Sequence, residues 1–261
     1  MVTVFPLASG SSGNSFYVSS GEGQGGLLID AGISSRRIQK ALCEGGIDPA
    51  SLRGILVTHD HVDHVCGLRV LAKQLRIPVY ASAITAERLS TQVEGGTVLR
   101  VLEAQTELAG FGVSSFATQH DATGSLGFRL ESDSRTIGFA TDLGTITPVV
   151  WQNLLGSHLI VLESNYDEHM LYACGYPYPL KQRIQSAYGH LSNCEAAENI
   201  AALTLRGTSR FILAHLSRES NTPELARQTV AERLGRESLR EDCDYRLVVA
   251  RRDIPTAPIH F

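Results

Sequence analysis

Apolar residues in this chain gather into short runs that alternate with segments where they recur at helical spacing. Residues 3–7, 15–18 and 27–30 read as strands, and the Gly-rich stretch 19–26 between the last two reads as a hairpin loop. A helix follows over 35–44 and is stopped by Gly45-Gly46. The run Gly54-Ile55-Leu56-Val57 has the continuous apolar character of a fully buried strand. After it come a helix over 67–75, a strand over 79–81, a helix over 84–92, and strands near 98–102, 113–118, 126–130 and 136–140. Farther on, 159–163 and 211–214 read as strands within a more helical half. Ser192-Asn193-Cys194-Glu195 is a capping box opening a helix that runs to Leu205. Thr222-Pro223-Glu224 supplies an N-cap, a proline at the first helical position and an early acid for another helix, which Gly235 ends. Strands and helices thus interleave across both halves. That predicts an α/β chain with two β-layers and outer helices, a four-layer αββα sandwich whose strand ends share one edge.

Size changes this picture little. With 261 residues, 43% of them hydrophobic, the chain can bury a sizeable core, and without a repeat or a low-complexity linker one domain over 1–261 is expected. The opening Met1-Val2-Thr3-Val4-Phe5 carries no basic region and enters a strand, so no signal peptide is expected, and no apolar run has the length to span a membrane. Cys43, Cys66, Cys174, Cys194 and Cys243 are odd in number and scattered, which suits reduced thiols in a cytoplasmic protein. Cys66 is expected to be a small buried residue at a helix start.

Chemistry enters at the end of the buried run, where Thr58-His59-Asp60-His61-Val62-Asp63-His64 packs five potential metal ligands into seven residues. In extended backbone, residues two apart project to the same side, so His59 and His61 can share one ion. Asp63 and His64 follow after the chain leaves the strand, where a turn toward the next helix folds them back to a neighbouring position and a second ion. Neutral imidazole suits zinc and iron, and a carboxylate in each set keeps manganese within reach. His158, His169 and His260 lack such a setting and read as structural or surface residues.

This H-x-H-x-D-H resembles the signature of the metallo-β-lactamase-fold hydrolases, and the resemblance implies a later His, a bridging Asp and a final His. His120 after the run from Val113, Asp142 after Ile137-Gly138-Phe139-Ala140-Thr141, and His215 after Phe211-Ile212-Leu213-Ala214 are the matching positions. By resemblance, two divalent ions are bound, zinc or manganese with iron as an alternative. His59, His61 and His120 hold one, Asp63, His64 and His215 hold the other, and Asp142 bridges. Metallo-β-lactamases generally carry Cys where this chain has Asp142, whereas glyoxalase-II-type thioesterases share the Asp.

Three further segments point toward phosphodiesters. Leu7-Ala8-Ser9-Gly10-Ser11-Ser12-Gly13-Asn14-Ser15 offers backbone N–H groups and hydroxyls to phosphate oxygens, with Ser11, Ser12 and Asn14 the candidate contacts. Glu163 and His190 can pair as a carboxylate-oriented imidazole, the arrangement of a general acid for a leaving alkoxide. Arg218, three residues beyond His215, is a candidate phosphate clamp. With Leu213 to Pro223, these segments look like the YycJ/WalJ branch of the superfamily, relatives of ribonuclease Z and of a cyclic phosphodiesterase. That branch implies a metal-dependent exonuclease acting on DNA from the 5′ end, with a hydroxide between the ions attacking phosphorus and Asp63 orienting it. No long Gly/Pro-rich insertion like the tRNA-gripping arm of ribonuclease Z is present.

A net charge of −4 gives no global attraction to a polyanion, so nucleic-acid binding has to be local. Candidate basic groups are Arg36, Arg37 and Lys40, Lys181 and Arg183, and Arg251-Arg252, and the aromatic, proline-rich stretch 172–178 can form a rim for stacking bases. The expected substrate is nucleic acid, DNA before RNA, or a small phosphodiester. A glyoxalase-II-like thioesterase and a metal-binding sensor with little turnover stay open as alternatives.

Overall fold

The computed structural model describes every residue except Gln92, 94–96 and Ser134. Its first sheet draws on β1 (Thr3–Ala8), β2 (Ser15–Ser19), β3 (Gly26–Ile29), β4 (Leu52–Leu56), β5 (Val79–Ala81) and β6 (Leu99–Val101). Its second sheet uses β7 (Thr106–Leu108), β8 (Phe111–Ala117), β9 (Leu126–Glu131), β10 (Thr136–Ala140), β11 (Leu159–Glu163), β12 (Arg210–Ala214) and β13 (Arg246–Val249). The terminal β14 (Ile259–His260) returns to the first sheet beside β1. Strand orders are β14-β1-β2-β3-β4-β5-β6 and β13-β12-β11-β10-β9-β8-β7.

Three apolar clusters make the layers. Between the sheets pack Phe16, Phe111, Phe128, Phe139, Leu27 and Val161, and the rings of Phe16 and Phe139 meet edge-on at 5.1 Å. Outside the first sheet, α1 (Ser35–Glu44), α3 (Leu68–Leu75) and α4 (Ala83–Ser90) bury Ile38, Leu42, Leu71 and Leu89. Outside the second, α5 (Pro148–Leu154), α8 (Asn193–Thr204) and α9 (Pro223–Arg236) bury Leu154, Ile200 and Val230. The single-turn α2 (Val62–Val65) and the short α6 (Glu168–Ala173) and α7 (Tyr178–Ile184) stand at the sheet edge. Central strands such as β3 and β11 are therefore buried on both faces, which is why their sequences are uniformly apolar and not alternating. The chain is an αββα sandwich, and among the described residues no helix is long and apolar enough to cross a membrane.

Strand direction places the chemistry. β3, β4, β5 and β6 are mutually parallel, as are β10, β11, β12 and β13. Two antiparallel steps, β1-β2-β3 and β8-β9-β10, bring β1 and β8 back to the same direction as their parallel neighbours. Residues following β1, β3, β4, β8, β10, β11 and β12 consequently emerge at carboxyl ends, where open sheets bind their ligands.

Several local expectations change. The helix expected over 84–92 is α4, which ends at Ser90, and Gln92 lies outside the described residues. Gly235 does not end α9, which continues to Arg236 with Glu237 as its C-cap. Cys66 is exposed, because the chain turns outward between α2 and α3 and the buried side of that turn is taken by Val65 and Leu68. The stretch 172–178 is the end of α6 and the start of α7, and β7, α5, β13 and β14 were not anticipated.

Candidate metal centre

Beyond β4 the backbone stays buried through Val57, Thr58 and His59. His61 then caps α2, whose single turn carries Asp63 and His64 back toward the strand end. Asn14 N–H donates to the Asp63 carbonyl at 2.8 Å, and Gly32 N–H donates to the Asn14 carbonyl at 2.8 Å. These two bonds knit the β1-β2 loop and the segment after β3 to the motif. A Cβ on Gly32 would lie 1.6 Å from the Asp63 carbonyl oxygen, so only glycine allows this approach.

Two overlapping clusters result. The rings of His59, His61 and His120 have centroids 4.5, 5.1 and 5.2 Å apart. One Asp63 oxygen, Oδ2, lies 3.4 Å from Nε2 of both His64 and His215. Asp142 reaches both sets: Oδ2 is 3.3 Å from His64 Nε2, while Oδ1 is 3.4 Å from His215 Nε2 and 3.8 Å from His120 Nε2. Within each of the trios His59, His61, His120 and Asp63, His64, His215, the potential ligand atoms lie within 4.8 Å of one another.

The other nitrogen of each buried ring is engaged. His64 Nδ1 lies 2.7 Å from Asp30 Oδ2, and Asp30 also accepts from the Thr58 N–H and hydroxyl, both at 2.8 Å. Since the Thr58 hydroxyl spends its proton on Asp30, it accepts from His59 Nδ1–H at 3.0 Å. His120 Nδ1 donates to the Gly189 carbonyl at 3.1 Å, and His215 Nδ1 donates to Glu163 Oε1 at 2.9 Å. Each ring thereby turns Nε2 toward the cluster, the orientation that outer-shell partners impose on ligating histidines, with His64 Nε2 also 3.1 Å from Asn14 Nδ2 and His120 Nε2 3.1 Å from Asp121 Oδ1.

Donor chemistry fits a divalent metal. Among the described residues, His59 Nε2 and Asp142 Oδ2 are buried without a hydrogen-bond partner, a state costing about 1–3 kcal/mol per group unless something outside the chain satisfies it. Burial, and after it the nearby His64 and His120, holds the His59 imidazole well below its usual range, in the neutral form that ligates. Burial alone would also lower His215, but Asp142, Asp63 and Glu163 outweigh it and push the ring up to about 10. His64 is raised in the same way, by Asp142 and Asp30 against burial. The carboxylate-rich half of the cleft thus calls for positive charge.

Three of the side chains stand on left-handed backbone just past a strand end: Asp30 (φ 60°), Asp142 (φ 57°) and His215 (φ 56°). Non-glycine residues seldom adopt this conformation, and here Asp142 and His215 line the cleft while Asp30 stands behind it against His64.

His190 joins the centre through Glu163, whose Oε1 is 2.7 Å from His190 Nδ1 and whose Oε2 accepts the N–H groups of Leu143 and Leu191. Burial would raise the Glu163 carboxyl, yet the charges and hydrogen bonds of His190 and His215 prevail and hold it below the ordinary carboxylate range. The surrounding cleft, 270 Å³ in volume, is lined by Ser11, Asp121, Asn165, Tyr176, Leu180, Arg183 and Ser217 together with the imidazoles and carboxylates.

Not every expected contact reaches that cleft. Ser11 lines it, whereas Ser12 is exposed and does not. Asn14 is buried behind it, where its side chain accepts from Gly10 N–H and donates to Asp63 Oδ2. Arg218 pairs with Asp253 at 2.9 Å and is not among the lining residues. Asp30, Thr58, Asp121 and Gly189 were missed. For Asp30 a signal existed, since it ends the apolar run of β3 as Asp142 ends that of β10.

Paired mixed sheets with imidazoles and carboxylates collected at their shared edge define a metallo-β-lactamase-fold hydrolase. Residues 26–216 match the family model described as a beta-lactamase superfamily domain. The chain belongs to that superfamily, on the branch of its YycJ and WalJ relatives. It is 35% identical over 230 residues to exodeoxyribonuclease YycJ of Bacillus anthracis, covering 87% of this chain and 86% of the relative. To exodeoxyribonuclease WalJ of Streptococcus pneumoniae it is 33% identical over 256 residues, covering 96% and 94%. Its fold is similar to that of the metallo-beta-lactamase fold protein YhfI from Bacillus subtilis, with a TM-score of 0.74 at 17% identity over 98% of each chain.

Proposed function

We propose that this chain is a metal-dependent phosphodiesterase that removes nucleotides from the end of a DNA strand. The observation that carries the reading is the Glu163–His190 pair, a carboxylate-anchored imidazole on the wall of a cleft built for cations. Sequence identity to two exodeoxyribonucleases over most of the chain supports it.

His59, His61 and His120 would hold one divalent ion, Asp63, His64 and His215 a second, and Asp142 would serve both, with zinc and manganese the best match to imidazole plus carboxylate. Two such ions supply Lewis acidity to the phosphoryl oxygens and an acidified water as nucleophile. Glu163 holds His190 by Nδ1, leaving Nε2 to protonate the departing oxygen. Ser11 stands at the mouth to meet the substrate. At 270 Å³ the cleft is smaller than the roughly 300–1,000 Å³ of sites that bury a drug-sized ligand, so it takes one terminal unit while the polymer lies outside.

Manganese-loaded protein incubated with 5′-labelled and 3′-labelled DNA and RNA tests this directly, with Asp142→Ala as control. Mononucleotide release from DNA that vanishes in the variant is the expected result. Cleavage of a lactoyl-thioester without release of nucleotides from any strand would transfer the chain to the thioesterases.

A further inference from the structure

Arg183 is the only lysine or arginine among the described residues that line the cleft. It stands on α7, where Leu180, Arg183 and Ile184 share the face turned toward the metal centre, as residues three and four apart do. Its Nη1 lies 3.2 Å from Asp121 Oδ2. The other oxygen of that carboxylate, Oδ1, lies 3.1 Å from His120 Nε2 and 3.7 Å from His61 Nε2. An anion is therefore lodged between a guanidinium and the Nε2 atoms of two imidazoles that line the cleft.

Arg218, Lys181 and Arg252 do not line the cleft: Arg218 pairs with Asp253, Lys181 donates to the Tyr172 carbonyl and lies over its ring, and Arg252 donates to the Ser217 carbonyl. The Arg183 side chain is 60% exposed and that of Asp121 28%, so their ion pair adds little stability and is readily exchanged. A phosphoryl group carries the same kind of oxygens as a carboxylate, and the arginine fork matches either one. Besides Asp121, the carboxylates that line the cleft are Asp63, in a candidate metal trio, and Asp142, between the two trios.

We propose that Arg183 grips the phosphoryl group of the substrate, and that Asp121 occupies this grip in the free protein and is displaced when substrate arrives. The proposal rests on the phosphodiesterase reading for its substrate class. Asp121 is here a positioning residue: it keeps the guanidinium aimed into the cleft and sets a threshold that a weakly charged ligand does not pass.

The test measures binding of inorganic phosphate to the metal-loaded protein by titration calorimetry, alongside the KM and kcat for bis(p-nitrophenyl) phosphate and the metal content. Arg183→Ala should weaken phosphate binding and raise KM about ten- to a hundredfold, the range for a charge-assisted contact, with a smaller change in kcat. Arg183→Lys should fall between, since it keeps the charge and loses the fork. Asp121→Asn should tighten phosphate binding about two- to fivefold at unchanged metal content. Unaltered phosphate affinity in Arg183→Ala overturns the grip even if the wild type cleaves phosphodiesters. A lower metal content in Asp121→Asn would assign that carboxylate to an ion and overturn the displacement. A wild type that binds phosphate through Arg183 yet cleaves no phosphodiester leaves the grip standing and removes the proposed function.

Discussion

His190 and His215 are tied to the same atom: Oε1 of Glu163 lies 2.7 Å from Nδ1 of the first and 2.9 Å from Nδ1 of the second. One buried carboxylate thus orients both the candidate acid and a candidate metal ligand, and their variants should separate. His190→Ala removes only the acid, so phosphodiesterase kcat should fall about 10²- to 10⁴-fold with metal content intact. Glu163→Gln should also weaken metal binding, by about 10- to 100-fold as other outer-shell substitutions do. Metal titration of the two variants checks this. Equal metal affinity in both would mean that Glu163 serves His190 alone.

Asp30 makes a second carboxylate-imidazole pair, fully buried, with His64. Asp30→Ala strands the Thr58 N–H and frees the His64 ring to turn. Urea unfolding should show a loss of about 1–3 kcal/mol from the unsatisfied donor, and metal affinity should fall about 10- to 100-fold. Asp30→Asn, which retains an acceptor, should recover most of the stability and less of the affinity.

What could be read before folding follows from how each residue advertises itself. His59, His61, Asp63 and His64 fall within six residues and announce themselves, whereas His120, Asp142 and His215, each just past a strand, are reached through the family resemblance that calls for a later His, an Asp and a final His. The paired sheets follow from the same runs, each too apolar to face water. Arg183 is legible only as one of several candidate basic groups, since no strand end marks it out. Arg218 is three residues from His215 in sequence but turns to Asp253, whereas Arg183 reaches the cleft only because α7 is folded over it. α6 and α7 are short, and Pro177, the N-cap of α7, and Pro179 in its first turn look in sequence like loop punctuation. Left-handed backbone at Asp30, Asp142 and His215 leaves no compositional trace either, because the surrounding structure imposes it.

Removing metal should cost thermal stability. Asp30, Asp63, Asp142 and Glu163 converge with His64 and His215 in one buried region, and an ion bound only by the folded state stabilises it by about 2.7 kcal/mol at a hundredfold excess over Kd. Scanning calorimetry with and without a chelator should show a lower Tm for the stripped protein, restored by zinc or manganese but not by magnesium, which prefers all-oxygen coordination. An identical Tm in both states would argue that the cluster holds no ion in the folded protein.

Gly189 links the two walls of the cleft. Its carbonyl orients His120, and a Cβ there would stand 2.2 Å from the carbonyl oxygens of both Arg183 and Ile184. These are backbone atoms at the end of α7 and cannot swing aside as a side chain would. Gly189→Ala should therefore push α7 and the His190 segment apart, costing about 1–3 kcal/mol in urea unfolding. Because the same shift drags the acceptor away from His120 Nδ1, the trio His59, His61, His120 should lose metal before the trio Asp63, His64, His215. Cobalt titration followed by visible absorption distinguishes the two: the expected trace shows one set filling as in the wild type and one weakened. Two sets weakened equally would mean that the substitution acts through general destabilisation, without a specific route from Gly189 to His120.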